Sequence, residues 1–187
     1  MDTKLESQAN EKIVVQTERF GELTANVSDL VRFTLPILGF EHATRFLLIQ
    51  HKDDSPFLWL QSVDDGDLAF VLTQPKLFGI PYTLTIPDHA IDALEIQHPG
   101  DVEIYTLVSI PDDAPTAMTA NLMGPVVIHC KTRLAAQIIL DSTRFSTKTP
   151  LFQSASAEAD LQWLTQNPNA NQSEQAQQAI SQAISKV

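Results

Sequence analysis

A single cysteine, Cys130, stands in the 187 residues, so no internal disulfide can close and nothing in the cysteine usage asks for an oxidising compartment. Glycine is sparse. Its six positions (Gly21, Gly39, Gly66, Gly79, Gly100, Gly124) are scattered, and none opens a helix in a dinucleotide-binding or phosphate-loop pattern. Neither His-Glu-x-x-His nor G-x-S-x-G occurs, which removes common signatures of zinc and serine hydrolases. The longest apolar runs, Arg45 to Gln50 and Gly124 to His129, fall far short of the ~18 residues a membrane-spanning helix needs. Met1 to Lys12 has neither the apolar stretch of a signal peptide nor a basic amphipathic transit pattern, so a cytoplasmic protein is expected. Bases are also scarce: 12 Lys and Arg against 23 Asp and Glu leave a net charge of −11. Such a field repels nucleic acid and anionic membrane.

What is present is material for one core. The length suits one domain with appendages, and a domain of about 150 residues buries roughly 68–70% of its unfolded surface; the 43% hydrophobic content supplies that core. The acids are concentrated, with twelve between Asp53 and Asp113 against the single base Lys76. A basic partner would be steered to that segment, although the same acids also serve simply to keep loops soluble.

Short runs of Val, Ile, Leu and Phe recur at strand length between clusters of Asp, Gly and Pro, an all-β rhythm. Ile13 to Thr17 and Glu22 to Val27 flank Phe20-Gly21 as a hairpin, and Leu30 to Leu35 continues as a third strand. Phe46 to His51, Phe57 to Val63 and Leu68 to Gln74 follow, joined by turns at 52–56 and 64–67, where Asp side chains bond nearby amides. Both faces of Phe57 to Val63 are apolar, which makes it a central strand. A short helix is expected over Asp88 to Ile96, with Asp88 receiving a first-turn amide and Pro99-Gly100 ending it. Val102 to Ile110, Pro125 to Lys131 and Leu134 to Asp141 bring the set to about nine strands, and closure into a barrel or folding as a sandwich would remove the exposed edges. Residues 1–12 are polar and read as a disordered extension. Residues 153–187, with eight Gln, seven Ala and five Ser, read as a tail outside the sheet, helical or disordered.

The histidines offer little chemistry. His51, Lys52, Asp53 and Asp54 are consecutive in a turn, and such side chains rarely converge on one point. His89 with Asp92 has a helical i, i+3 spacing that could present two metal ligands, whereas Pro99-Gly100 prevents His98 and Asp101 from doing so. His129 and Cys130 are neighbours on one strand, so alternation sends them to opposite faces. A binding module is favoured over an enzyme; no cofactor or metal is expected.

Several stretches, in order and spacing, resemble the FliW family of flagellar assembly factors. They are Thr17-Glu-Arg-Phe-Gly-Glu22, Val31-Arg-Phe33 with Gly39-Phe-Glu41, Pro56-Phe-Leu-Trp-Leu-Gln-Ser62 with Asp67-Leu-Ala-Phe70, Thr119-Ala-Asn-Leu-Met-Gly-Pro-Val-Val-Ile128, Gln137-Ile-Ile-Leu140 and Thr147-Lys-Thr-Pro-Leu-Phe152. The resemblance covers residues 13–152. It implies a small, barrel-like antiparallel β-fold with one or two short helices, no enzymatic activity, and two protein partners: the RNA-binding regulator CsrA and flagellin. In that family the factor sequesters CsrA, relieving repression of flagellin translation, and flagellin competes for it. The chain departs from the family pattern at Thr34 and Pro36, at His129 where Asn is common, and at Gly124 where Ala is frequent.

The candidate partner-binding residues are Phe40, Glu41, Phe57, Leu60, Gln61, Asn121, Leu122 and Pro125. Asn121 could bond a partner's backbone beside the apolar area of Leu122 and Pro125, or satisfy a turn of its own fold while Leu122 enters the core. Phe57, Leu60 and Gln61 face the same choice between core strand and interface. Two other readings remain: an export chaperone that clamps flagellin alone with residues 153–187, and a small metal- or ligand-binding β-barrel enzyme using His51 or His89.

Overall fold

The computed structural model describes residues 11–50, 55–141 and 144–152. Eleven strands and one α-helix are found among them: β1 (Lys12–Thr17), β2 (Gly21–Asn26), β3 (Val31–Leu35), β4 (Arg45–Ile49), β5 (Phe57–Ser62), β6 (Ala69–Thr73), α1 (Asp88–Leu94), β7 (Val102–Ser109), β8 (Thr119–Ala120), β9 (Val126–His129), β10 (Leu134–Gln137) and β11 (Thr149–Pro150). The order β7-β6-β5-β4-β3-β10-β9 returns to β7, because Val102 to Tyr105 pair with His129 to Val126. Seven strands thereby close a barrel. Closure gives every member of the ring two neighbours, as the many short apolar strands require. β8 and β11 extend the sheet beside the far half of β7.

Alternation along each strand fills the barrel. Val31, Phe33, Phe46, Leu60, Leu72, Tyr105, Val126, Ile128 and Ala135 pack inside, with Phe33 and Phe46 meeting edge to face at 5.1 Å. Each fully buried Leu or Phe contributes about 1.5–3 kcal/mol. The outward faces are covered in turn. Ala90 and Leu94 of α1 lie on Val127, Ala136 and Ile138, while the β1–β2 hairpin covers β5 and β6. There Phe20 stands edge-on to Trp59 at 5.7 Å and the Arg19 guanidinium lies 4.8 Å from the same ring. The central placement expected for β5 follows: Leu60 faces in, Trp59 faces out, and both are buried. Gly66 lets the hairpin approach, since a Cβ there would stand 2.1 Å from the Gln16 carbonyl oxygen.

Several details correct the sequence reading. One pair in the ring, β3 with β10, is parallel, so the barrel is not wholly antiparallel; the chain between them makes a full circuit and can return in either direction. α1 ends at Leu94 rather than Ile96, because Glu95 takes a left-handed conformation (φ 57°); Pro99-Gly100 lies beyond that stop. Asp88 is the first helical residue, and no side chain caps this helix. β10 stops at Gln137, not Asp141, and the two-residue strands β8 and β11 were too short to carry an alternation signal. β1 begins at Lys12. Residues 1–10 and 153–187, on which the disordered extension and the tail were placed, lie outside the described residues.

Candidate protein interface

β3 and β10 are parallel neighbours, so both finish at the same end of the barrel. Gln137, the last residue of β10 and 8% exposed, ties that end together. Its Oε1 accepts the Leu38 N–H at 2.8 Å and its Nε2 donates to the Gly124 carbonyl at 3.2 Å. The Gly124 and Met123 amides donate to Asn121 Oδ1 at 3.0 and 3.1 Å, and the Asn121 N–H donates to Leu107 O at 2.9 Å. One line of hydrogen bonds thus joins the loop after β3 to the turn before β9. A Cβ at position 124 would stand 3.0 Å from both Asn121 Nδ2 and Gln137 Nε2; glycine admits this close approach.

The loop from Pro36 to Thr44 is held from within. Phe40 N–H donates to Ile37 O and Ala43 N–H to Phe40 O, Ile37 and Ala43 are buried, and the Phe40 ring meets Phe70 edge-on at 4.9 Å. Gly39, at φ 86°, turns the chain and donates its N–H to Glu41 Oε1 at 2.8 Å. That bond holds the Glu41 carboxyl below its ordinary pKa. The loop's return is fixed by Asp64, which accepts the Thr44 and Arg45 amides and the Arg45 guanidinium at 2.7–3.0 Å. Burial raises the Asp64 pKa, but the Arg45 side chain and the two amides outweigh it and bring it below the usual carboxylate range. Anchored in this way, the loop presents Leu38 at 71% exposure, and Ile139, just past Gln137, is 59% exposed. Exposed apolar area on rigid loops is what a protein interface needs.

The candidate residues divide. Phe40, Glu41 and Asn121 come to this end, Phe40 half-buried, Glu41 exposed and Asn121 engaged in its own turn. Leu122, 4% exposed, and Pro125, buried with its carbonyl accepting the Ile138 N–H, shape the same turn from beneath. Leu60 is barrel core. Gln61 is fully buried, and its Nε2 donates to the carbonyls of Ser62, Gly66 and Leu68, so it holds the β5–β6 turn. Phe57 lies apart, 5.6 Å from Phe78.

The histidine readings find no support among the described residues. His89 and Asp92 are exposed on α1, Asp101 receives the His98 and Gln97 amides, and no group of three His, Cys, Asp or Glu is placed to hold a metal. The cluster 51–54 lies outside the described residues. His129 is buried and Cys130 exposed, as alternation predicts. Sequence reasoning missed Leu38, Ile139 and Gln137. Leu38 gave a signal, an aliphatic residue between Pro36 and Gly39, while Ile139 was concealed by extending β10 past its end.

A sequence model of the family described as FliW protein matches residues 13–151. The flagellar assembly factor FliW of Alkaliphilus metalliredigens is 39% identical over 137 residues, covering 73% of this chain and 84% of that protein. The one from Moorella thermoacetica is 39% identical over 139 residues, covering 74% and 88%. A crystal structure of the flagellar assembly factor FliW superposes with a TM-score of 0.71 at 34% identity, covering 76% of this chain and 99% of the other. No helix among the described residues is long and apolar enough to cross a membrane. With the ordered motifs, the seven-strand barrel and these likenesses in agreement, the chain belongs to the FliW family of flagellar assembly factors.

Proposed function

We propose that this protein works by occupying other proteins and catalyses no reaction: in the cytoplasm it binds the translational regulator CsrA and flagellin, and by holding CsrA it relieves repression of flagellin translation. The observation that carries this reading is the rigid apolar end of the barrel, Leu38 and Ile139 presented on loops that Gln137 joins, on a chain of net charge −11. Apolar anchors supply affinity, while the acid excess attracts a basic RNA-binding partner and repels its RNA. Phe40 and Glu41 are the flanking contacts. Leu60, Gln61, Leu122 and Pro125 act from beneath by holding the surface in shape.

The test is to mix the full chain with CsrA and with flagellin, each alone, and follow complex formation by size-exclusion chromatography at two salt concentrations. Both complexes are expected, and the absence of both overturns the reading. Leu38→Ala combined with Ile139→Ala should weaken at least one complex by about 2 kcal/mol or more without changing the melting temperature. Removing rim acids should alter mainly the association rate and its salt dependence.

A further inference from the structure

At the opposite end of the barrel, where β3 and β10 begin, the ring has an unlaced seam. The β3–β4 ladder holds only Val31 to Phe46 and Arg32 to Arg45, because residues Val27–Asp29 leave the strand direction in a 3-10 turn. Arg45 O accepts the Val63 N–H on the β5 side and Thr44 O accepts the Phe33 N–H on the β3 side. Backbone groups alternate along a strand, so the Leu48 amide and carbonyl point to the β3 side, past the end of that ladder. Across the gap runs β2, which pairs with β1 alone among the described residues. Between the two edges lies a groove of about 880 Å³, with Leu23 and Leu47 to Gln50 among the residues lining it.

The charge of this groove is opposite to that of the chain. Among the described residues, Lys12, Lys131 and Arg133 line it against the single acid Asp29, whereas the whole sequence carries −11. The ion pairs found among the described residues, His42 with Asp65 and Arg45 with Asp64, include none of the three cations. Arg133 Nη2 reaches only the Asp29 carbonyl, at 3.5 Å, and the Asp29 carboxylate is taken by Asn26 and Ser28. The turn that carries Lys131 and Arg133 is built to hold them. His129 Nδ1 accepts the Lys131 and Thr132 amides at 3.1 and 3.2 Å, Arg133 N–H donates to His129 O, and Arg133 takes a left-handed backbone (φ 62°).

We propose that this groove binds an extended acidic segment of a partner protein, which adds as a strand along the free edge of β4 while its carboxylates meet Lys12, Lys131 and Arg133. Strand addition gives affinity through main-chain hydrogen bonds, and the side chains on alternate positions give selectivity. Its charge preference is the reverse of the acidic segment's, so the chain can serve partners of unlike composition. A nucleic acid fits less well: it has no peptide edge to pair with Leu48, and the net charge repels a long polyanion.

The probe is a short synthetic peptide alternating glutamate and valine, titrated into the isotope-labelled full chain and followed by amide NMR. Shifts centred on 23–26, 47–50 and 131–133, saturating below about 1 mM, are expected. Lys131→Glu with Arg133→Glu should weaken binding at least about tenfold, as should glutamine in place of glutamate in the peptide. Lys12→Glu, on the hairpin and away from the turn, should also weaken it if the double variant fails to fold. N-methylation of alternate peptide amides should abolish binding, since it removes the donors that pair with a strand edge. The proposal is overturned if no shifts appear in these segments, if the charge-reversed chain or the N-methylated peptide binds as well as the parent, or if an oligoribonucleotide shifts these amides and the peptide does not.

Discussion

Where β3 and β10 finish, the buried amide of Gln137 receives the Leu38 N–H and reaches the Gly124 carbonyl; where β9 hands over to β10, the buried imidazole of His129 receives the amides of Lys131 and Thr132. At each end of the barrel, then, a buried polar side chain satisfies loop backbone. What the loops then present differs: Leu38 and Ile139 at one end, Lys131 and Arg133 at the other. A closed sheet supplies two rims with no shared loops, and each rim can take its own chemistry without disturbing the core between them. Apolar area at the first rim favours slow dissociation, and charge at the second favours salt-sensitive association.

The largest effect expected from breaking one rim alone is that of Gln137→Ala, which leaves the Leu38 N–H and the Gly124 carbonyl unpaired and should cost about 3 kcal/mol. Denaturant unfolding measures it, and hydrogen exchange should rise at Leu38 while the turn at 130–133 stays protected. Gly66→Ala acts instead on the covering hairpin, because the added Cβ drives against the Gln16 backbone and pushes the hairpin off β5 and β6. About 2 kcal/mol should be lost, with Trp59 becoming more accessible to a fluorescence quencher. His129→Ala should cost about 1–2 kcal/mol, whereas His129→Asn should recover most of it. An Asn carbonyl oxygen also accepts amides two and three residues ahead, as His129 Nδ1 does here. Equal losses in the two variants would show that the ring is held for its volume and not for Nδ1.

The smallest effect concerns acid. The Asp64 carboxyl titrates lower in the folded chain than in the unfolded one, so its contribution is fully present above the unfolded value of about 3.9 and is lost as pH falls through the folded value. Asp64→Asn should therefore lower stability by about 1 kcal/mol near neutrality, and the gap from the parent should close as pH drops towards about 3. Melting temperatures over that range check it.

Much of this architecture was legible along the chain, and the exceptions share a cause. Alternation marked β5 as buried on both faces, and Phe20-Gly21 marked the hairpin, because both are signals between near neighbours in sequence. The end of α1 escaped because Glu95 adopts a left-handed backbone, which glutamate does not announce. Among the candidate site residues, Phe40, Glu41 and Asn121 do lie at one rim, yet Leu60 and Gln61, on the same apolar strand as Phe57, are interior and scaffold. An apolar or amide residue reads alike in sequence whether it faces a partner or its own core.

Composition and pattern by themselves determined that this chain is strand-rich, acidic, without a sequence signature of catalysis, and similar to one family over residues 13–152, since those properties reside in residue types and local spacing. Only the tertiary structure decided that the ring closes through β7 and β9, that Leu38 and Ile139 are left outside while Gln137 goes in, and that three bases of an acidic chain gather at one seam. Those outcomes depend on residues about a hundred positions apart, Leu38 with Gln137 and Asp29 with Arg133, and no local preference can encode such a meeting.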